Sequence, residues 1–304
     1  MNKASFVLIS ETKGQTTRAE TRRWGVSMKD RLLRVFKYIF LCIISFLFVF
    51  PFLWMLFGAF KSNNEIWQTP YRLLPEHISL SDLADNLKAI NLYGYLGNSF
   101  LVGITGTLLI LLVSGMFAYA VVFLRSKSMD RIFAIVLITY MLPAAVTYVP
   151  SYVILAKLHM LDKLSGLIFS YLANVFAVFY FRQSFMKTSM DFVEAAKIDG
   201  ANHRSILRHV ILPLNKTAFC SVGLLTFIQL YNSYMWPGIM LKSQEKYLIS
   251  QGLRQFFIQE GAYGMNWSQI MLASTVAVLP VVIILIAAQK WLMAAISQDS
   301  GVKF

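Results

Sequence analysis

Charge is scarce in this chain of 304 residues and lopsided where it occurs: 28 lysines and arginines stand against 15 aspartates and glutamates, together 14% of the sequence. A soluble domain carries roughly a quarter charged residues. With 57% hydrophobic side chains and a positive mean hydropathy, the composition excludes an ordinary water-soluble globule and makes the bilayer the main solvent. Cysteine is nearly absent. Cys42 and Cys220 lie far apart inside apolar runs, which excludes a disulfide framework and a zinc site and leaves them as expected buried apolar side chains. The histidines His77, His159, His203 and His209 are dispersed, and the last pair has the wrong spacing for one helical face, so no metal site is expected. No Gly-x-x-x-x-Gly-Lys-Ser/Thr loop occurs, so the chain has no P-loop to cradle nucleotide phosphates.

What is present in quantity is long apolar sequence. A membrane span needs roughly 20 apolar residues at 1.5 Å rise each, and six such stretches are readable, at 38–60, 99–123, 132–155, 164–181, 210–236 and 270–288. The expected fold class is therefore an all-α membrane protein of about six transmembrane helices. The first run follows Lys29, Arg31, Arg34 and Lys37. It is too long for a signal-peptide h-region and lacks a small-residue cleavage site after it, so it reads as a retained span. The net charge of +13 does not point to nucleic acid, because the basic residues cluster beside apolar segments, the pattern of membrane orientation. The opening tail, the loop with Arg125, Lys127 and Arg131, and the loop with Arg182, Lys187, Lys197, Arg204 and Arg208 are basic. The alternate loop is balanced: Lys61, Arg72 and Lys88 face Glu65, Glu76, Asp82 and Asp85. Both termini and the 190–213 segment are expected in the cytoplasm. Gly103, Gly106, Ser114, Gly115, Ala118 and Ala120 in the second span would let helices approach closely. Pro51, Pro143, Pro150 and Pro280 fall inside spans, as bends around a cavity or as ordinary bundle packing.

Between the fourth and fifth spans lies Glu194-Ala195-Ala196-Lys197-Ile198-Asp199-Gly200-Ala201, followed by Val210-Ile211-Leu212-Pro213. Asp191 and Glu194 have capping-box spacing, and Gly200 suits the left-handed residue that ends a helix, so a helix of about two to three turns is expected. Asn202 can cap a second helix that runs straight into the fifth span, with Pro213 as a bend near the membrane surface. Small Ala195 and Ala196 leave the backbone open to a partner's groove, with Glu194 and Asp199 able to hydrogen-bond it. Taken on spacing, the same segment also reads as an amphipathic loop at the headgroups, held by Arg204 and Arg208.

Glu-Ala-Ala, three residues, Gly, nine residues, then an aliphatic residue, one residue and Leu-Pro resembles the cytoplasmic loop of permease subunits of bacterial ABC importers, with Val210 where isoleucine is usual. The resemblance extends through Pro51-Phe52-Leu53-Trp54 to Lys61, Asn98-Ser99, Ala118-Tyr119-Ala120, and Leu142-Pro143 with Pro150. The end, Pro280, Gln289-Lys290 and Gly301-Val302-Lys303, is similar to the carbohydrate-importer branch that includes maltose-type permeases. The resemblance implies a cytoplasmic tail at 1–37, a permease domain at 38–296 with a coupling segment at 190–213, and a short cytoplasmic tail at 297–304. It implies a multi-pass subunit of a bacterial inner membrane, with Glu194, Ala195, Ala196, Asp199, Gly200, Ala201 and Pro213 coupling it to an ATPase. ATP and Mg would be used on that partner, with no cofactor on this chain. The other implied partners are a second, different permease, an extracytoplasmic solute-binding protein and membrane lipid.

Rival classes fit less well. A proton- or sodium-driven carrier relies on ionisable groups inside the membrane, and the six stretches hold no Asp or Glu. A membrane enzyme would need paired carboxylates, a nucleophile elbow or a His-Glu metal motif, none of which is apparent. For a solute path, Tyr140, Asn174, Gln229, Tyr231, Asn232 and Tyr234 combine aromatic faces with amides, which suits a sugar. An interfacial aromatic belt that includes Trp236 is the other reading of these positions. The outer loop at 237–267, with Gly252, Gly261 and Gly264 for flexibility, is a candidate contact for the binding protein.

Overall fold

The computed structural model describes residues 28–76, 78, 91–124, 126–259 and 266–300, and these are helical or connecting backbone. Three helices are long and apolar enough to cross a membrane: Arg31–Gly58, Leu92–Phe123 and Trp267–Lys290. Three further helix pairs, bent at a short break, pass the same length and hydropathy test together, and counting each pair as one span gives up to six. Helix α1 (Met28–Gly58) carries Pro51 and starts upstream of the first span's expected beginning. By chain contacts the molecule divides at Trp54 into two units. In the first unit, α1 exposes large apolar side chains such as Phe36, Phe40 and Phe48, as suits a helix whose solvent is hydrocarbon.

The second unit, Met55–Phe304, opens with α2 (Asn63–Gln68), capped by Ser62. It is organised around α3 (Leu92–Phe123). Ser99, Val102, Gly103, Gly106, Thr107, Ile110, Ser114, Gly115 and Ala118 are buried along it. Their spacing of three and four puts them on one helical face. The expected close approach is realised here: a Cβ on Gly103 would lie 2.9 Å from the Phe227 ring, and one on Gly106 would lie 2.4 Å from Leu230. Lipid tails are as apolar as leucine, so such contacts are held by packing and dispersion more than by water exclusion.

The third span is α4 (Lys127–Tyr140) and α5 (Ala144–Lys157), interrupted around Pro143. The fourth is α6 (Leu164–Ser170) and α7 (Val175–Met186), bent by 47°. Then come α8 (Met190–Ile198) and α9 (His203–Ile206), followed by a π-helical turn, Leu207–Ile211. A short α10 (Leu212–Leu214) leads to α11 (Lys216–Tyr231). The segment expected as the outer loop holds α12 (Met235–Met240), a 3-10 turn at Gln244–Lys246 and α13 (Ile249–Gln259), and the last helix is α14 (Trp267–Ser300).

Three expectations are corrected. Cys42 and Cys220 are exposed on their helices, because a weakly polar thiol can face lipid or another subunit as readily as a core. Trp236 is not in an outward belt. It is 6% exposed, donates from Nε1 to Ser170 Oγ at 2.8 Å, and stacks on Tyr148 with ring centroids 5.4 Å apart. Gly252 is a packing residue, since a Cβ there would sit 2.2 Å from the Tyr95 ring. Gly261, Gly264 and the terminal Gly301-Val302-Lys303 lie outside the described residues, as does Arg125.

Candidate coupling site and solute path

The start of α8 is set by Ser189, whose Oγ accepts from Asp191 N–H at 3.2 Å. Ser189 is thus the cap, two residues before the one expected from Asp191 and Glu194, and Asp191 sits in the first turn. Asp191 at the first turn and Lys197 at the last both complement the helix dipole. The end is a Schellman turn: Gly200 N–H donates to Lys197 O at 3.0 Å and Ala201 N–H to Ala196 O at 2.9 Å. Gly200 has φ +80° and open space around its Cα, so glycine is needed there for backbone freedom alone. Asn202 Oδ1 accepts from Ser205 N–H at 2.9 Å and caps α9, as expected.

The underside of this segment is packed. Val193, Ile206 and Ile211 are fully buried in one cluster with Ala118 and Tyr119 of α3, Phe181 and Phe185 of α7, and Val222 of α11. Phe219 of α11 stacks on Phe181 at 4.3 Å. Tyr119 Oη lies 2.9 Å from His203 Nδ1, so the second span is hydrogen-bonded to the start of α9. On the other side of α8, Phe192 is 54% and Ile198 87% exposed, with Ala195 and Asp199 also exposed. Apolar side chains are thus left in the open on a helix whose other side is firmly rooted.

The second arm does not run straight into the fifth span. His203–Leu214 meets Lys216–Tyr231 at 83°, so the membrane helix begins at Lys216, later than the expected Val210. Two features place the elbow. Pro213 has no N–H and its ring would strike the carbonyl four residues back; the π-helical turn just before it, which inserts an extra residue, takes up that conflict. Asn215, 6% exposed, then fixes the corner. Its Nδ2 donates to Ile211 O at 2.9 Å and to Thr188 Oγ1 at 3.1 Å, and its Oδ1 accepts from Ser184 Oγ at 2.7 Å. Asn215 and the Tyr119–His203 pair were not singled out in the sequence. The only signal was an amide at a break in an apolar run.

The solute-path candidates separate. Gln229 on α11 and Asn232, the residue that caps its end, are both exposed, as are Tyr140 and Tyr234. Asn174 caps α7, with Oδ1 accepting from Ala177 N–H at 2.9 Å, and keeps its amide protons for another partner. Tyr231 is a correction: it is 1% exposed and donates to Ala277 O at 2.9 Å. An aromatic ring on the side of α11 that faces α3 and α14 is core.

At the opposite end from α8, the outer segment is ordered by polar contacts. Asn98 Nδ2 donates to the carbonyls of Glu245 (2.8 Å) and Tyr247 (3.0 Å), and Ile249 N–H donates to Ser99 Oγ at 2.8 Å. Asp162, in a left-handed turn with φ 54°, accepts from the N–H groups of Lys242 (2.9 Å) and Ser243 (3.0 Å) and from Lys246 Nζ (2.9 Å). Hydrogen bonds from Ser243, then those from Lys242 and Lys246, outweigh burial and hold the Asp162 carboxyl well below its ordinary value of 3.8.

Residues 112–298 match the family described as "Binding-protein-dependent transport system inner membrane component". The chain belongs to this family. Among curated relatives, it is 31% identical over 271 residues to the sn-glycerol-3-phosphate transport system permease protein UgpE of Pectobacterium atrosepticum, covering 86% of this chain and 95% of that one. It is 29% identical over 268 residues to the arabinooligosaccharides transport system permease protein AraQ of Bacillus subtilis, covering 87% and 94%. The fold is shared with a chain of a bacterial ABC transporter involved in import of the acidic polysaccharide alginate, at TM-score 0.76 and 24% identity over 87% of this chain and 98% of that one. The chain is thus a multi-pass inner-membrane permease component of a binding-protein-dependent transport system.

Proposed function

We propose that this permease imports a carbohydrate, an oligosaccharide handed over by an extracytoplasmic binding protein, and that α8 carries the stroke of a separate ATPase into the bundle. The observation behind the reading is the two-sided character of α8: Val193 is fully buried on one side while Phe192, Ala195 and Ile198 are exposed on the other. A groove in the ATPase would take that outer side, with Glu194 and Asp199 at its rim, and Ala196, Gly200, Ala201 and Pro213 would set the angle at which α8 and its elbow move. ATP and Mg belong to the partner, this chain is non-catalytic, and a second, different permease completes the pore. Both termini face the cytoplasm with α8. Tyr140, Asn174, Gln229, Asn232 and Tyr234 are the side chains offered to the solute.

The relatives bear on the solute in two ways. AraQ's name gives arabinooligosaccharides and supports the sugar reading, whereas UgpE's name gives sn-glycerol-3-phosphate and supports a small anionic polyol instead. Uptake by membranes holding the full complex, competed with unlabelled arabino-oligosaccharides or sn-glycerol-3-phosphate, separates the two. For coupling, the test is Gly200→Val: transport should fall at least tenfold while the chain still inserts and copurifies with its partners. Uptake unchanged by that substitution would remove α8 from the mechanism.

A further inference from the structure

At the α8 end of the bundle, a cavity of about 250 Å³ opens between α3, α4 and α7, lined by Val121, Val122, Lys127, Asp130, Arg182 and Met186. The transport reading uses none of these residues. The Arg182 Cζ lies over the Phe133 ring, 4.5 Å from its centroid. Its Nε is buried and donates to nothing. A buried guanidinium N–H without an acceptor is costly, and a charged oxygen is the acceptor it matches best. Lys127, in the first turn of α4, adds a second cation, and none of Lys127, Asp130 and Arg182 is ion-paired with another. Met186 in the lining is 55% exposed, and elsewhere α4 and the turn after α3 expose further apolar side chains, Leu124 at 45%, Ile132 at 42% and Ile135 at 61%.

We infer that this cavity is a site for the headgroup of an anionic phospholipid, phosphatidylglycerol in its charge and shape. The phosphodiester would accept from the Arg182 guanidinium and Lys127 Nζ. The acyl chains would lie along the exposed apolar faces of α3, α4 and α7. Two cations and one carboxylate leave a single positive charge, which one phosphodiester neutralises, and Asp130 is left to accept from the glycerol hydroxyls. Basic pockets between membrane helices are a recurrent form of lipid recognition, each cation near the surface contributing a factor of about five in binding. The inference needs only that the chain sits in a membrane, and it stands whether or not α8 couples to an ATPase.

The test is native mass spectrometry of the full-length chain, with whatever subunits copurify, titrated with phosphatidylglycerol, phosphatidylcholine or inorganic phosphate. One phosphatidylglycerol should be retained in preference to phosphatidylcholine. Lys127→Gln and Arg182→Gln should each weaken that binding about fivefold, and the pair roughly twenty-five-fold. Asp130→Asn should tighten it about fivefold, a change of sign that misfolding cannot produce, and Lys157→Gln at the far end of α5 should leave it unchanged. Equal retention of phosphatidylcholine, binding of inorganic phosphate as tight as that of the lipid, or indifference to Lys127→Gln and Asp130→Asn together would overturn the assignment.

Discussion

The two ends of this bundle are held by opposite means. At the α8 end, the segment is rooted by apolar side chains, Val193, Ile206 and Ile211, with one amide, Asn215, at the corner. At the outer end, the segment from Met240 to Ile249 is held by Asp162, Asn98 and Ser99 through hydrogen bonds to backbone. Apolar packing is non-directional and tight, so a push on α8 moves the helices beneath it as one body. Hydrogen bonds to a loop fix its path while leaving its upper surface to other contacts. On the coupling proposed above, the difference suits an end that transmits force and an end that presents a shape.

The harshest way to break this contrast is to place a charge beneath α8. Val193→Asp should cost about 3 to 5 kcal/mol, since the carboxylate would have no partner, and the chain should fail to accumulate in membranes or lose its thermal transition. Asn215→Leu should come next, at about 2 kcal/mol, because Ser184 and Thr188 lose their partner in a closed corner; a thermal-shift assay in detergent reads it. The two glycines sharpen the comparison. Gly252→Ala inserts a methyl against Tyr95 and should destabilise the outer segment by about 1 to 3 kcal/mol. Gly200→Ala meets nothing and should cost only about 1 kcal/mol of backbone strain, so limited proteolysis should loosen the outer segment in the first variant and not in the second. Smallest at neutral pH is Asp162→Asn, about 1 kcal/mol for a partly exposed carboxylate.

Acid gives the same contrast another form. The folded state depresses the Asp162 carboxyl below its ordinary 3.8, so its contribution is complete above that value and disappears as pH falls through the lower folded one. Hydrogen exchange of residues 240–249 should therefore be flat from about pH 5 to 8, after correction for intrinsic rates, and should rise only in strong acid.

Much of the membrane plan was legible because apolar length is summed over many residues. All six stretches correspond to helices or broken pairs, and the left-handed turn at Gly200 was readable from its residue type. What was not legible depends on which way a single side chain points. Tyr231 and Trp236 have the composition of a sugar path or an interfacial belt, yet each lies on the inner side of its helix and is buried. Cys42 and Cys220 look like core residues and lie outside, because hydropathy has no preference between lipid and protein interior as apolar surroundings. The elbow at Asn215 and the π-helical turn before it arise from a contest between Pro213 and the helix around it. Periodicity alone does not show how that contest ends.

On the proposed function, the open side of α8 is gripped by another protein. Ala195→Cys, treated in intact membranes with a short thiol-to-amine crosslinker, tests it most directly. One dominant adduct with a copurifying ATPase subunit is expected, in a yield that changes when ATP is added. Adducts with lipid alone, in a yield indifferent to ATP, would contradict it.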